Sequence, residues 1–579
     1  MSSSLIVRRD LDFLLHDWLK MDGADRDTID AFLDLSEKLA CDVFLSHYKQ
    51  ADTQEPVLDA TGVHICPPIG AALTRYAELG LFSAGFSEDL GGFGLPYLAC
   101  AASFASFAAA NIATAAYPML TVANARLIAT FGTSAQINFF AKPQIEGRWF
   151  GTMCLSEPQA GSSLADVRTR AEPDGEDALG RRFRLTGNKM WISGGDQDAS
   201  ENIVHLVLAK IPASSGGLPE GSESLSLFIV PKSLADGSRN DVIVAGLNHK
   251  MGYRGTTNCL LNFGEKTGAL GWLVGEPGQG LRQMFQMMNE ARIGVGLGAA
   301  ALGYRGYRLS VTYARERLQG RSTGMRSGPP VAIIEHADVK RMLLTQKAYA
   351  EGALALCLYC ARLVDHDDDA DSAMLLGLLT PVVKTWPSEY GLAANDIAIQ
   401  IHGGYGYTRD FDVEQLWRDN RLNPIHEGTT GIQAIDLLGR KMLRDQGGMA
   451  PLGSAIADTV ARATSLNRLR DDAVALAGAW TQLNNTVLAL RKTEPARVFD
   501  NATPFLRAFG HVVVAWLWLD QALTAASLPA TSAAERAFLD GKQRAQQFFF
   551  IYELPRAGQW LSIVSRGSAL AATSPPEIF

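Results

Sequence analysis

Only seven of 579 residues are cysteine. The set is odd in number and scattered, which argues against a disulfide framework and favours a reducing, cytoplasmic setting. Cys357 and Cys360 form a lone CxxC in an Ala/Leu-rich helical stretch, with no second CxxC and no HxxxH. They read as small buried hydrophobes, and no metal site is expected. No basic-then-apolar leader opens the sequence, so no secretion signal is expected. The longest uncharged run, Leu90 to Ala125, is interrupted by Gly, Ser, Asn, Pro96 and Pro118. It lacks the unbroken block of about 20 apolar residues that a membrane span needs, and a buried Ala-rich helix pair is expected instead. The glycine-rich GFSEDLGGFGLP (85–96) has no GKS/GKT ending and no strand before it, which excludes a P-loop. Gly403 to Tyr407 is not GxGxxG and follows no Rossmann strand, so a nicotinamide domain is unsupported. Basic residues are the minority, 53 against 61 acidic, for a net charge of -8. With no long basic run, nucleic-acid binding is not expected.

What is present is a globular composition, 47% hydrophobic and 20% charged, long enough for two to four domains. Apolar residues at helical spacing run through Leu5 to Lys20 and Thr28 to Tyr48, and then the Ala-rich stretch. From about Phe150 the period shortens to that of strands: Met190 to Ile192, Val204 to Ala209, Leu225 to Val230 and Leu260 to Phe263. Long helical patterns return over Gly280 to Ala314, Ala337 to Leu363 and Asp371 to Asn395, and a further Ala/Leu-rich helical block follows Gly447-Gly448. The expected fold is a multidomain α+β chain. It comprises an N-terminal helical domain (1–149), a middle antiparallel β-barrel-like domain (150–270), a helical bundle (271–448) and an additional C-terminal helical domain (449–579).

Within Asp419 to Met442, Glu427 stands just ahead of a Gly-Thr-Thr-Gly turn. Thr429 or Thr430 can cap the helix that follows, whose apolar positions are Ile432, Ile435, Leu438 and Met442. Taken alone, the acid reads as a solvated first-turn charge.

Its company changes that reading. CLSEPQAGSS (154–163), NKMWISGG (188–195), NHKMGYRGT (248–256), GQGLRQMFQMMNEAR (278–292), YARERLQG (313–320), IQIHGGYGYTRDFDVEQLWRDNRL (399–422) and IHEGTTGIQ (425–433) occur in that order. Together they resemble the acyl-CoA dehydrogenase family over residues 35–445. The C-terminal block resembles its larger branch, which includes 3-methylmercaptopropionyl-CoA dehydrogenases.

The resemblance implies FAD as cofactor and an acyl-CoA as substrate. It implies α-proton abstraction by Glu427, hydride transfer to flavin N5 and a trans-2-enoyl product. The backbone N–H of Glu427 is the implied donor to the thioester oxygen. Cys154 and Ser156 (through backbone and hydroxyl), Ser162, Trp191 and Ser193 map onto flavin contacts. Ser162, Arg292 and Gly428 map onto the substrate side. Arg317, Gln400, Gly403 and Gly404 map onto the segment lent to a neighbouring subunit's FAD diphosphate, and Thr429 onto a cofactor-facing threonine. A homodimer or dimer of dimers is therefore implied, with an electron-transferring flavoprotein as acceptor and no nucleic acid or membrane span.

Some relatives place the base directly before the equivalent of Arg292. That position is Ala291 here, and Glu290 is turned away by about 100° on a helix, which leaves it an ion-pair role. Two departures from the family pattern stand out: RLQG (317–320) is one residue shorter than the common RxxFG, and Gly431 replaces a residue that is often polar. Oxidases, nitroalkane oxidases, monooxygenases and DNA-binding relatives share the fold. A nitroalkane oxidase is expected to carry Asp at position 427 and a monooxygenase no acid. Small residues at Gly91, Gly92 and Ala291, with Met284, Met287 and Met288, are expected to suit a short, medium or thioether-bearing acyl chain.

Overall fold

A computed structural model describes residues 5–322, 324–445, 447–493 and 495–579. The side chains of residues 285–289, 495 and 496 fall outside the described set, Met287 and Met288 among them. The chain divides into two compact units, one of Gly23–Ala291 and one of Met1–Asp22 with Arg292–Phe579.

In the Gly23–Ala291 unit, Asp25 caps the helix Arg26–Leu39 by accepting from the Thr28 N–H at 2.9 Å. A short hairpin follows, β1 (Val57–Asp59) against β2 (Gly62–His64). The expected helix pair is one run, Tyr97–Phe131, kinked at Asn111 and buried along most of its length. The sheet strands are β3 (Trp149–Cys154), β4 (Arg170–Asp177), β5 (Gly180–Ser193), β6 (Asn202–Lys210), β7 (Leu225–Pro231), β8 (Val242–Leu247), β9 (Asn258–Phe263) and β10 (Ala269–Leu273).

The antiparallel barrel-like expectation is corrected here. These strands form an eight-stranded sheet in the order β10-β7-β6-β4-β5-β9-β8, with β3 paired to β6, and it is not a barrel. Nor is it purely antiparallel, since β3 runs parallel to β6 from Trp149↔Asn202 to Cys154↔Val207. β5 is long enough to serve three neighbours. Its first half pairs with β4 and β10, and after Gly187 it pairs with β9, which carries the edge strand β8. Apolar patterning marks a strand but does not name its partner. β6 is buried along its whole length because both faces are covered. Val204, Leu206 and Leu208 pack with Ile128 and Phe140, and Val207 and Ala209 pack with Phe183 and Phe228.

The other unit is helical. The helix Gly280–Glu316, which begins in the first unit, supplies the residues from Arg292 onward. It lies tight against the helix Ala370–His402 because it is glycine-rich where they meet. A Cβ on Gly296 would come within 2.0 Å of the Val383 carbonyl, and one on Gly303 within 2.9 Å of Gly391 Cα. The helix Ala337–Asp365 packs alongside, with Cys357 and Cys360 as free, buried thiols whose ionisation burial pushes up. The C-terminal helices, notably Ala502–Ser527, Ala533–Phe548 and Leu554–Ser565, belong to the same unit. They are keyed to it by a buried charge cluster in which Lys542 Nζ lies 2.5 Å from Asp10 and 2.9 Å from Glu351. Glu351 also pairs with Lys347, and the Tyr304 hydroxyl donates to Asp10 at 2.9 Å. Two helices, Tyr97–Phe131 and Ala502–Ser527, are long and apolar enough to cross a membrane, yet both are mostly buried within their units.

Candidate active site

Glu427 is presented by a turn. The helix Val413–Asn420 ends before it, and the helix Thr430–Ile435 begins after it with Thr429 as cap, its Oγ1 accepting from Ile432 N–H at 3.3 Å. Glu427 has φ 53°, followed by Gly428 at 91°. The left-handed region costs a non-glycine residue about 1–2 kcal/mol, so the surroundings must enforce it.

They do so through a set of buried side chains. Gln433 Nε2 donates to the Glu427 carbonyl at 3.0 Å. Lys384, fully buried on the helix Ala370–His402, donates to the Asn423 carbonyl at 2.8 Å and the Gly428 carbonyl at 2.6 Å. Asn423 donates to Asn420 at 2.9 Å, and Asn420 donates to Asn395 at 2.7 Å and to the Ala299 carbonyl at 3.1 Å. A buried amide ladder therefore ties the turn to two long helices.

The following helix continues as a π-helical segment over Asp436–Asp445. Ala434, Leu437, Leu438 and Met442 are inside, while Ile435 is exposed, contrary to the expected stripe.

The turn also sets the charge of the acid. Glu427 is half-buried, and burial raises its carboxyl above the usual range while Arg292 and Lys384 pull it down. Burial pushes the Lys384 ammonium down to about 8. His426, 3.0 Å from Asn423 Oδ1, is pushed down to about 3 by burial and the Lys384 charge, so it is neutral at pH 7. Buried Arg292 lies 3.6 Å from Asp436, which also holds Arg440 through contacts of 2.6 and 3.0 Å. A carboxylate raised by burial but flanked by two cations has the character a general base at neutral pH requires.

Elsewhere on this unit, a cleft of about 450 Å³ is lined by Tyr313, Arg317, Gly403, Gly404, Tyr405 and Thr408, among others. Arg317 lies over the Tyr405 ring at 5.8 Å. Gly403 has φ 61°, and neither it nor Gly404 has anything within 4 Å of a Cβ position, leaving bare backbone in the cleft. A guanidinium beside open backbone suits a diphosphate, so these residues fit that half of FAD. Gln400 is exposed just before the cleft and is not among its lining residues.

In the Gly23–Ala291 unit, β3 ends at Cys154, whose thiol is buried and pushed up to about 12, so only its backbone is offered. Ser156 is half-buried, with its carbonyl accepting from Met190 N–H at 3.0 Å. The loop is held by a buried pair in which Lys189 Nζ meets Glu157 at 3.0 Å and the Leu155 carbonyl at 3.1 Å. Glu157 also accepts from the Arg168 and Thr169 N–H groups and the Thr169 hydroxyl, and is held down at about 2. The β5 bulge between Lys189 and Ile192 puts Trp191 at φ 66° with 59% of its surface exposed. Ser193 accepts from Asn258 at 3.3 Å, and Ser162 is exposed. A bare indole beside exposed and half-buried hydroxyls suits a flat polar ring system.

Other residues prove structural. Glu290 pairs with Arg126 at 2.6 Å, as the ion-pair expectation had it. Arg254 is 3.8 Å from Asp52 and 3.6 Å from Glu55. Met284 is buried in the core with Leu225 and Leu227. Gly92 packs against the Phe86 backbone. Sequence reasoning missed Lys384 and Gln433, although a lysine within the apolar run LLTPVVKTWP (378–387) is itself a signal, since an unpaired charge cannot be buried there.

Known families match along the chain. Acyl-CoA dehydrogenase, N-terminal domain, matches residues 51–148, and its middle domain matches 152–265. Acyl-CoA dehydrogenase, C-terminal domain, matches 278–443, and Acetyl-CoA dehydrogenase C-terminal like matches 452–575. A 3-methylmercaptopropionyl-CoA dehydrogenase of Ruegeria pomeroyi is 35% identical, over 86% of this chain and 85% of its own. A broad-specificity linear acyl-CoA dehydrogenase of Mycobacterium tuberculosis is 35% identical over 92% and 91%. An acyl-CoA dehydrogenase of Bacillus anthracis complexed with FAD shares the fold, with TM-score 0.76 at 20% identity over 98% and 93%.

Proposed function

The chain belongs to the acyl-CoA dehydrogenase family and is an FAD-binding oxidoreductase; on that premise we propose that Glu427 is its catalytic base. The observation that carries this is the strained, half-buried carboxylate held on a locked turn between Arg292 and Lys384.

The Glu427 carboxylate takes a proton from the carbon beside the thioester carbonyl. The C–H electron pair moves toward the carbonyl oxygen, and the Glu427 N–H donates to that oxygen. Bound FAD would supply the acceptor for the hydride lost from the neighbouring carbon, so that the product would be a trans-2-enoyl-CoA. Arg317 with the Gly403-Gly404 backbone would hold the diphosphate half, and Ser156, Ser162, Trp191, Ser193 and Thr429 the remainder.

The Arg317 cleft is open at the surface of its unit, and nearby Tyr407 is 89% exposed. This supports a homodimer in which each protomer lends the cleft to its partner. The substrate is a short or medium acyl-CoA or a methylthio-substituted one, and the acceptor is an electron-transferring flavoprotein. The names of the two relatives above support the substrate range. Function divides along 1–149, 150–270, 271–448 and 449–579.

Anaerobic mixing of the purified protein with a panel of acyl-CoAs, linear and thioether-bearing, should bleach the flavin. Absence of bleaching with every member would overturn the reading.

A further inference from the structure

We propose that Lys384 is a positioning residue for Glu427: its ammonium bridges the carbonyls of Asn423 and Gly428 and so locks the turn that carries the acid while supplying an adjacent positive charge. The inference rests on the assignment of Glu427 as base and concerns what makes that acid ready.

The geometry is that of a clamp. The two acceptors bracket Glu427 in the chain, and both bonds come from one fully buried nitrogen, at 2.8 and 2.6 Å. Gln433 fixes the carbonyl of Glu427 itself, so the two peptide planes that follow the strained residue are held, and Asn423 anchors the start of the turn. A hydrocarbon side chain at 384 would leave two carbonyls with lost donors and let the left-handed φ relax.

Several groups face this turn. Arg292 comes from the helix Gly280–Glu316. Asp436 and Arg440 come from the segment after the turn, His426 from the turn itself, and Glu389 from the helix that carries Lys384. Lys384 and Arg292 are the cations that oppose the rise of the Glu427 carboxyl, and His426 is neutral. Lys384 also titrates within reach of experiment. Its folded value is depressed to about 8, so the charged clamp is present below that pH and is lost as pH rises through it.

The test is the pH dependence of flavin reduction in wild type, Lys384→Met, Lys384→Arg and Glu427→Gln. FAD content, thermal midpoint and affinity for a non-reactive thioether acyl-CoA analogue are measured alongside. Lys384→Met should fall by about a hundredfold, the size of loss expected from misplacing a reacting group. Its acid limb should move to higher pH, because a cation that favoured ionised Glu427 is gone, and its alkaline limb near 8 should vanish. Lys384→Arg keeps the charge and the donors. It should hold the acid limb near its wild-type position and lose the limb near 8, since guanidinium does not titrate there. If both limbs stay at wild-type positions in the variants, with activity falling only in step with melting temperature, the role is merely structural and the proposal is overturned. A limb near 8 that survives in Lys384→Arg also overturns it. An active Glu427→Gln enzyme would instead remove the base assignment, a failure distinguishable because it appears in that variant alone.

Discussion

Gln433 reaches back across the first turn of its helix to donate from Nε2 to the carbonyl oxygen of Glu427 at 3.0 Å. The side chain inside the helix thus fixes the backbone of the acid outside it. Glu427→Gln leaves this bond intact, because it uses the main chain. That variant should retain FAD and ligand binding while flavin reduction slows by at least about a hundredfold. Rapid-mixing absorbance measurements check this, and near-normal reduction would redirect attention to another acid.

Arg317 offers its guanidinium to a cleft with bare glycine backbone on the far side. Charge-assisted hydrogen bonds contribute about 1.5–3 kcal/mol, so Arg317→Ala should weaken FAD binding by roughly 10–100-fold. Flavin retained after gel filtration, together with oligomer mass by light scattering, reads this out. Full retention in both would argue against the cleft as a cofactor contact.

The buried pair of Lys189 and Glu157 gives a pH-dependent contribution with a defined sign. Glu157 is held at about 2, below the usual range of a glutamate carboxyl, which is about 4.3 in an unfolded chain. Its stabilisation is therefore present above the unfolded pKa and is lost as pH falls toward about 2. Glu157→Gln should lower the thermal midpoint markedly at neutral pH, since breaking a buried pair costs about 3–5 kcal/mol. The gap from wild type should close as the pH drops between those limits. A gap that stayed constant in calorimetric scans would contradict the assignment.

Lys542 bridges Asp10 and Glu351 in a buried site, so Lys542→Met leaves two carboxylates without their shared cation. Burial and Glu351 already raise the Asp10 carboxyl. The variant should lose about 3–5 kcal/mol at neutral pH and recover stability on mild acidification, as Asp10 takes up a proton. Chemical denaturation at two pH values tests the direction.

Much of this was legible in the sequence, for different reasons. The strands at 204–209 and 225–230 declare themselves through β-branched and apolar runs. The parallel pairing of β3 with β6 does not, because it depends on which strand arrives beside which. Glu427, Trp191 and Arg317 sit in recognisable motifs. Their left-handed backbone at 427 and 191 is invisible in composition, since neither residue is glycine. Lys384 and Gln433 escaped because they act on main-chain carbonyls, which any sequence supplies and no motif marks. The apolar stripe after Thr430 predicted Ile435 as buried, whereas the inner face runs through Ala434, Leu437, Leu438 and Met442, with the small Ala434 in place of the larger Ile435.

The keyed contact between Asp10 and Lys542 also bears on the order in which the molecule is made. The Gly23–Ala291 unit is contiguous, so it has all its residues once about half the chain has been synthesised. In the other unit Glu351 has Lys347 on its own helix, but Asp10 meets its cation only when the late helix Ala533–Phe548 brings Lys542 to it. During translation Asp10 must wait, solvated or protonated, until Lys542 emerges. Neutralisation of Asp10 is therefore one of the last events in assembling the helical unit, more than 500 residues after that acid is made.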